Sequence, residues 1–247
     1  MLTLDAKNFV VLLNTLFSVE LGLRRVGGDL PKEGQETADK QTEYLIGLMT
    51  DLDLPQSIKV AKNLVLGRTT AENLHRGYEQ LANSVMLELE GRKFYGPLRS
   101  FEQYYEQPKL FGDDVFDKLP SANNDIFEAG TCLALERGTA CVMHLMRVVE
   151  VGIKVLADTL GVGKQNDWGS YLREIDKALA ERLKASGKRT PDEQFYAEVR
   201  VTLDGVRMAW RNPTMHIENT YSPERAEQIL ISVRSLMQHL ATKLVDW

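Results

Sequence analysis

The sequence predicts an all-α protein: a four- or five-helix bundle in the C-terminal half, preceded by an N-terminal all-helical region. Three observations predict it. Apolar residues recur at i, i+3, i+4 and i+7 along most of the chain, the period of a helix with one buried face. The strict two-residue alternation of a half-buried strand is nearly absent. Glycines and prolines fall between the periodic stretches, where helices start and stop. With 247 residues, 43% of them hydrophobic, the chain can bury the core of one large or two modest domains.

The first helix is expected over about Asp5–Arg24, with Leu12, Leu16, Val19 and Leu23 on one stripe and Gly27-Gly28 as its stop. A second fits Thr37–Asp51, ahead of Pro55, and a third Gln56–Leu66. A fourth runs from Thr70, a natural N-cap, to Glu90. Between Gly91 and Pro120 the periodicity loosens, and Phe94, Tyr95, Phe101, Tyr104, Tyr105, Phe111 and Phe116 crowd together. This stretch reads as a packed connector whose aromatics serve the core; stacking on bases is the competing use. It places the domain boundary near residue 117, with domains over 1–117 and 118–247.

The C-terminal half is more regular. Helices are expected over Ala122–Glu136, Thr139–Leu160 and Trp168–Ala185, separated by Gly138 and Gly161-Val162-Gly163 and closed by Gly187. Thr190-Pro191 opens the next in cap-plus-proline fashion. It should end at Trp210 or Arg211, because Pro213 biases Asn212 away from helical geometry. Ser222-Pro223 opens the last helix, which runs to about Lys243.

The formal charge is −5. Proteins that merely coat nucleic acid are usually basic, whereas an enzyme acting on RNA needs only a local cationic patch. Cys132 and Cys141, nine residues apart in helical sequence, would lie roughly 13 Å apart along one axis, too far for a disulfide. They read as free thiols. There is no Cys-x-x-Cys and no paired histidine, so neither metal nor cofactor is expected. The longest apolar run, Phe9–Leu13, is far short of the ~20 residues of a membrane helix. No secretory leader is evident at Met1–Asp5. A cytoplasmic protein without membrane contact is the expectation.

The polar stretch most able to carry chemistry is Arg211-Asn212-Pro213-Thr214-Met215-His216. An arginine followed by a histidine after four to six residues is weak by itself, since all four histidines satisfy it: Arg68 with His75, Arg137 with His144, Arg211 with His216, Arg234 with His239. Arg234 and His239 share one helix and diverge by roughly 140°. His144 sits among Met143, Leu145 and Met146 and reads as a packed or hydrogen-bonded core residue. Arg68 and His75 read as a solvated helix face. Arg211 closes a long helix, and the turn after it lets His216 swing back toward the same ligand. Arg200, Asp204, Arg207 and Arg211 follow i, i+4, i+7 and i+11, a mainly cationic stripe leading to that turn. Such a stripe is either a solvated salt-bridged face or a phosphate-binding one.

Two segments resemble the HEPN superfamily. Asp125–Glu150 is similar to the opening helical hairpin of those domains, and Ala209–His216 carries the Arg-polar-x3-His form of their motif; together the resemblance covers roughly residues 120–245. It implies a metal-independent endoribonuclease, in many members part of toxin–antitoxin or antiphage systems, with two copies facing each other as a homodimer. An antitoxin or defence-system protein is then an expected partner, and RNA the substrate. His216 would act as general acid or base, the usual work of an imidazole at neutral pH. Arg211 would stabilise charge on the phosphate, and Asn212 would orient phosphate or histidine. Arg207 and Arg200 are expected substrate contacts, and Arg147 and Glu150 supporting residues. The substrate's own 2′-OH would attack, leaving a 2′,3′-cyclic phosphate and a 5′-hydroxyl. The same resemblance also embraces non-catalytic modules that dimerise or bind a nucleotide or protein.

Overall fold

A computed structural model of the chain describes residues 6–23, 28–66, 70–93, 96–214, 216 and 218–246. The described residues are helical throughout, apart from turns and one isolated antiparallel bridge between Asp29 and Thr70. The protein is all-α, as its periodicity predicts. Among the described residues, no helix is long and apolar enough to cross a membrane.

The chain divides into two compact units, Met1–Phe94 and Tyr95–Trp247. The first holds α1 (Ala6–Leu23), α2 (Lys32–Asp51), α3 (Pro55–Leu66) and α4 (Ala71–Leu89). Leu12 and Leu16 of the expected first stripe are buried, and Val19 packs against them. Gly27 and the side chain of Leu23 lie outside the described residues. Thr70 caps α4 by accepting the Asn73 amide. The core gathers Leu45, Met49, Leu74, Tyr78, Leu81 and Val85, all essentially inaccessible. A buried polar pair within it is satisfied internally: the Thr42 and Tyr78 hydroxyls lie 2.7 Å apart, and each reaches the Ala38 carbonyl.

The second unit begins earlier than the composition suggests. The aromatic stretch expected to close an N-terminal domain at 117 packs into the C-terminal core instead. Phe101, Tyr104, Phe111 and Val115 are buried with the bundle residues, and burial of large rings decides membership. Phe94 and Tyr95 themselves lie outside the described residues. Helix α5 (Asp113–Lys118) is tied to the far end of the unit: Gln238 donates to the Phe111 carbonyl, Lys118 to that of Ala241, and the Asp246 amide to that of Lys118.

Helices α6 (Asn123–Ala134), α7 (Gly138–Thr159), α8 (Trp168–Ser186), α9 (Pro191–Val206) and α11 (Pro223–Leu240) form the bundle. Helix α7 is its centre, packing against α6, α8 and α11. Close approach explains two of its glycines. A Cβ at Gly152 would meet Leu240 at 2.7 Å, and one at Gly138 would meet the Tyr221 carbonyl oxygen at 2.4 Å. The predicted boundaries form: Thr190 caps α9, Ser222 caps α11 and left-handed Gly187 follows α8; Asp167 also caps α8, and Glu193 completes a reciprocal box with Thr190.

One boundary differs from expectation. The chain does not leave helical geometry before Pro213. Arg207–Arg211 winds into a wider π turn, and a short helical turn, α10 (Asn212–Thr214), continues it. Asn212 itself is helical, with φ −63° and ψ −48°. A proline inside a helix clashes with the carbonyl four residues back and offers no amide. The π turn takes up that conflict by shifting the pairing one residue: the Asn212 amide donates to the Arg207 carbonyl.

Candidate active site

The π turn fixes where Arg211 points. Its guanidinium lies over the Trp168 ring, 5.9 Å from the centroid, within the roughly 6 Å range of cation–π attraction. Among the described residues it makes no ion pair. Trp168 is placed by the start of α8, where the Asp167 carboxylate accepts both the Ser170 amide and the Ser170 hydroxyl. The indole is buried, and its Nε1 donates to Glu150 on α7 at 3.1 Å. Burial pushes the Glu150 carboxyl up, but Lys154, the Trp168 hydrogen bond and Arg147 together outweigh it and hold the group below its ordinary value. Glu150 is thus an ionised anchor for the indole that carries Arg211.

Arg207 lies one turn back. Its Nε and Nη2 grip Asp204 at 3.0 and 2.8 Å. Its Nη1 passes so close to Gly169 that a Cβ there would approach it at 3.2 Å. Two guanidinium groups therefore border the first turn of α8, a helix end that itself carries partial positive charge.

The turn beyond Arg211 is pinned at both ends. Thr214 is buried; its hydroxyl meets the Trp210 carbonyl at 2.7 Å and the Tyr221 hydroxyl at 2.9 Å. The Tyr221 amide donates to Thr139 at the start of α7. Between these anchors the Pro213 carbonyl accepts from the His216 amide and from Asn219 Nδ2, both at 3.0 Å. His216 is exposed on this closed turn. Met215 lies outside the described residues.

No protein-family model, curated protein or solved structure matches this chain. Its chemistry has to be read from its own residues.

The expected site residues separate into groups. Arg211 and His216 lie five residues apart, Arg211 half-buried and His216 exposed. Asn212 lies between them, but its amide turns back toward the Met208 sulfur at 3.7 Å. Arg207 borders the same helix start. Arg200, read as a substrate contact, is engaged elsewhere: it pairs with Asp176 on α8 and Asp204 on its own helix. The stripe is thus cationic only toward its C-terminal end, because Asp204 and Asp176 neutralise its beginning. Arg147 donates to Asp125 at 2.7 Å, and Glu150 supports Trp168. The other Arg–His pairs do not converge on a shared ligand in the described residues: His239 packs on the Phe195 ring at 4.7 Å, His144 bonds to Asp125, and Arg68 lies outside the described residues.

Sequence reasoning misses Trp168, Thr214, Tyr221 and Thr139. Asp167 ahead of Trp168 is a readable cap, but the stacking of Arg211 on that indole is a contact over more than forty residues. It also misplaces the cysteines. The break at Leu135–Arg137 sets Cys132 and Cys141 on adjacent antiparallel helices, so the spacing along a single axis does not apply. Both are free; burial pushes the Cys141 thiol up to about 12 and raises that of Cys132, so neither is an activated nucleophile.

Proposed function

We propose that the protein is a metal-independent endoribonuclease of the HEPN type, acting through the Arg211–His216 turn. The observation that carries this reading is the state of Arg211: a guanidinium over the Trp168 ring that makes no ion pair among the described residues, five residues before an exposed histidine. A fork of donors positioned in advance is what a phosphate gaining charge in a transition state requires.

In this reading a scissile phosphate rests against Arg211, with Arg207 as a neighbouring contact. RNA provides its own nucleophile, so no metal-activated water is needed. His216 takes the 2′-OH proton or delivers one to the departing 5′-oxygen, the acid–base work for which an imidazole is suited. Each chain holds one histidine at the turn. A second copy facing the first would supply the complementary acid or base, which gives homodimerisation a chemical role. An RNA substrate, a regulating antitoxin or defence partner and a place inside the cell belong to the same proposal.

Val201 and Met208, both exposed and seven residues apart on the helix leading to the turn, favour a second reading: a dimerisation or protein-binding module without catalysis. Incubation of the purified protein with RNA in excess chelator separates the two. The nuclease leaves 2′,3′-cyclic phosphate ends and loses activity in Arg211→Ala. Intact RNA of every class, with dimerisation lost on Met208→Asp, favours the module.

A further inference from the structure

The α6–α7 hairpin brings together three residues that no spacing rule selects. Glu128 and Cys132 are four apart on α6 and so share a face. His144 comes from α7, which runs back antiparallel after the Leu135–Arg137 turn. One carboxylate oxygen, the Cys132 sulfur and a ring nitrogen of His144 all lie within 4.8 Å of one another. Tetrahedral zinc, with bonds of roughly 2.0–2.3 Å, sets its ligand atoms about 3.5 Å apart. Small side-chain rotations close that gap.

A second feature orients the histidine. His144 Nδ1 lies 2.8 Å from Asp125 Oδ1, which also accepts from Arg147 Nε at 2.7 Å. An ionised carboxylate can only accept, so Nδ1 carries a proton, and in the neutral imidazole Nε2 is then the nitrogen with the lone pair. Carboxylate, histidine and open nitrogen in this order are the arrangement that fixes metal-binding imidazoles. Access exists as well, because the His144 side chain is 30% exposed and Cys132 only half-buried.

We propose that Glu128, Cys132 and His144 form a binding site for a zinc-class divalent cation, with Asp125 as the positioning residue for His144. A thiolate, an imidazole and a carboxylate make a borderline-soft donor set, which suits zinc better than magnesium or calcium. Two anionic ligands and one neutral one balance the charge of the dication. As the sulfur–zinc bond forms, the thiol proton passes to solvent, so binding strengthens as pH rises. Three protein ligands leave a fourth position for water. The site takes no part in the cleavage proposed at Arg211 and His216, and it stands or falls separately.

The test uses the full chain, stripped of metal under reducing conditions. Zinc titrated against a chromophoric chelator should bind one ion per chain. Cobalt(II) should give the near-ultraviolet charge-transfer band of a thiolate ligand. Cys132→Ser and His144→Gln each remove a direct ligand and should weaken zinc on the order of 100-fold or more, since even a lost supporting contact costs about 10–100-fold. A readout in the unsubstituted protein guards against misfolded variants: zinc should slow alkylation of Cys132, located by peptide mass spectrometry. Absence of stoichiometric binding, unchanged affinity in folded Cys132→Ser, or alkylation of Cys132 at the same rate with and without zinc overturns the proposal.

Discussion

Replacing Gly138 by alanine should loosen the turn that carries His216, and the structure sets the size of the effect. The added Cβ would sit 2.4 Å from the Tyr221 carbonyl oxygen and 2.8 Å from that of Ser222. Neither oxygen can move aside by a rotamer change. Ser222 caps α11, its carbonyl accepts the Ala226 amide at 2.9 Å, and the Tyr221 amide is held by Thr139. The start of α7 and residues 221–222 must therefore separate. Overpacking of this kind costs about 1–3 kcal/mol. Alanine recovers up to about 1 kcal/mol of helix propensity, less at a first helical position. The net loss is about 1–2 kcal/mol, which lowers the melting temperature by roughly 2–8 °C for a unit of this size. Gly205 is the control: it lies in α9, where an added methyl would meet nothing within 4 Å, so Gly205→Ala should stabilise by up to about 1 kcal/mol. Thermal unfolding by circular dichroism measures both, and amide hydrogen exchange at residues 218–222 localises the first. Equal behaviour of the two variants, or a Gly138→Ala protein as stable as its parent with unchanged exchange, would refute the close packing of α7 on this turn.

Tyr221→Phe removes the hydroxyl partner of Thr214 and should cost about 0.5–1.5 kcal/mol; if the turn positions His216, RNA cleavage should fall more than stability does, which parallel melting and rate measurements resolve. Trp168→Leu takes away the surface under Arg211 and the donor to Glu150, and should lower kcat/KM for RNA while leaving the helix content of the circular dichroism spectrum intact. In the first unit, Glu88 accepts the Gln56 and Ser57 amides and the Ser57 hydroxyl. Burial raises its carboxyl, yet these bonds and Arg92 outweigh burial and hold it below its ordinary 4.5. A carboxyl lowered by folding contributes stability above about pH 4.5, and that contribution is lost as pH falls through the lowered value. Glu88→Ala should remove this acid sensitivity and cost about 1 kcal/mol, the usual value of a helix cap, as seen in urea unfolding at neutral and acid pH.

Helices are legible where one face repeats and a cap announces the end: Thr70, Thr190 and Ser222 each sit where the sequence puts them, because capping is local chemistry. Pro213 misleads for a physical reason. Its effect on the residue before it is a local rule, but the chain meets it with a π turn, which depends on how α9 packs and not on the proline's neighbours alone. The aromatic connector misleads in the same way, since ring burial depends on the partner surface in the bundle. At the candidate site, Arg211, Asn212 and His216 fall within six residues, so a local reading groups them. Arg200 is not, because Asp176, the acid that occupies it, lies on another helix. Trp168, and the meeting of Glu128 and Cys132 with His144, are likewise products of tertiary packing that no spacing within one segment encodes.

Cleavage of RNA without metal at the Arg211–His216 turn has a direct assay. Mixed cellular RNA is incubated with the purified protein in excess chelator, beside His216→Ala, and the product ends are identified. The unsubstituted protein should leave 2′,3′-cyclic phosphate ends, and the variant should lose on the order of 10²–10⁴ in rate. Cleavage that persists undiminished in folded His216→Ala, or products bearing 5′-phosphates, would contradict a role for this turn in the reaction.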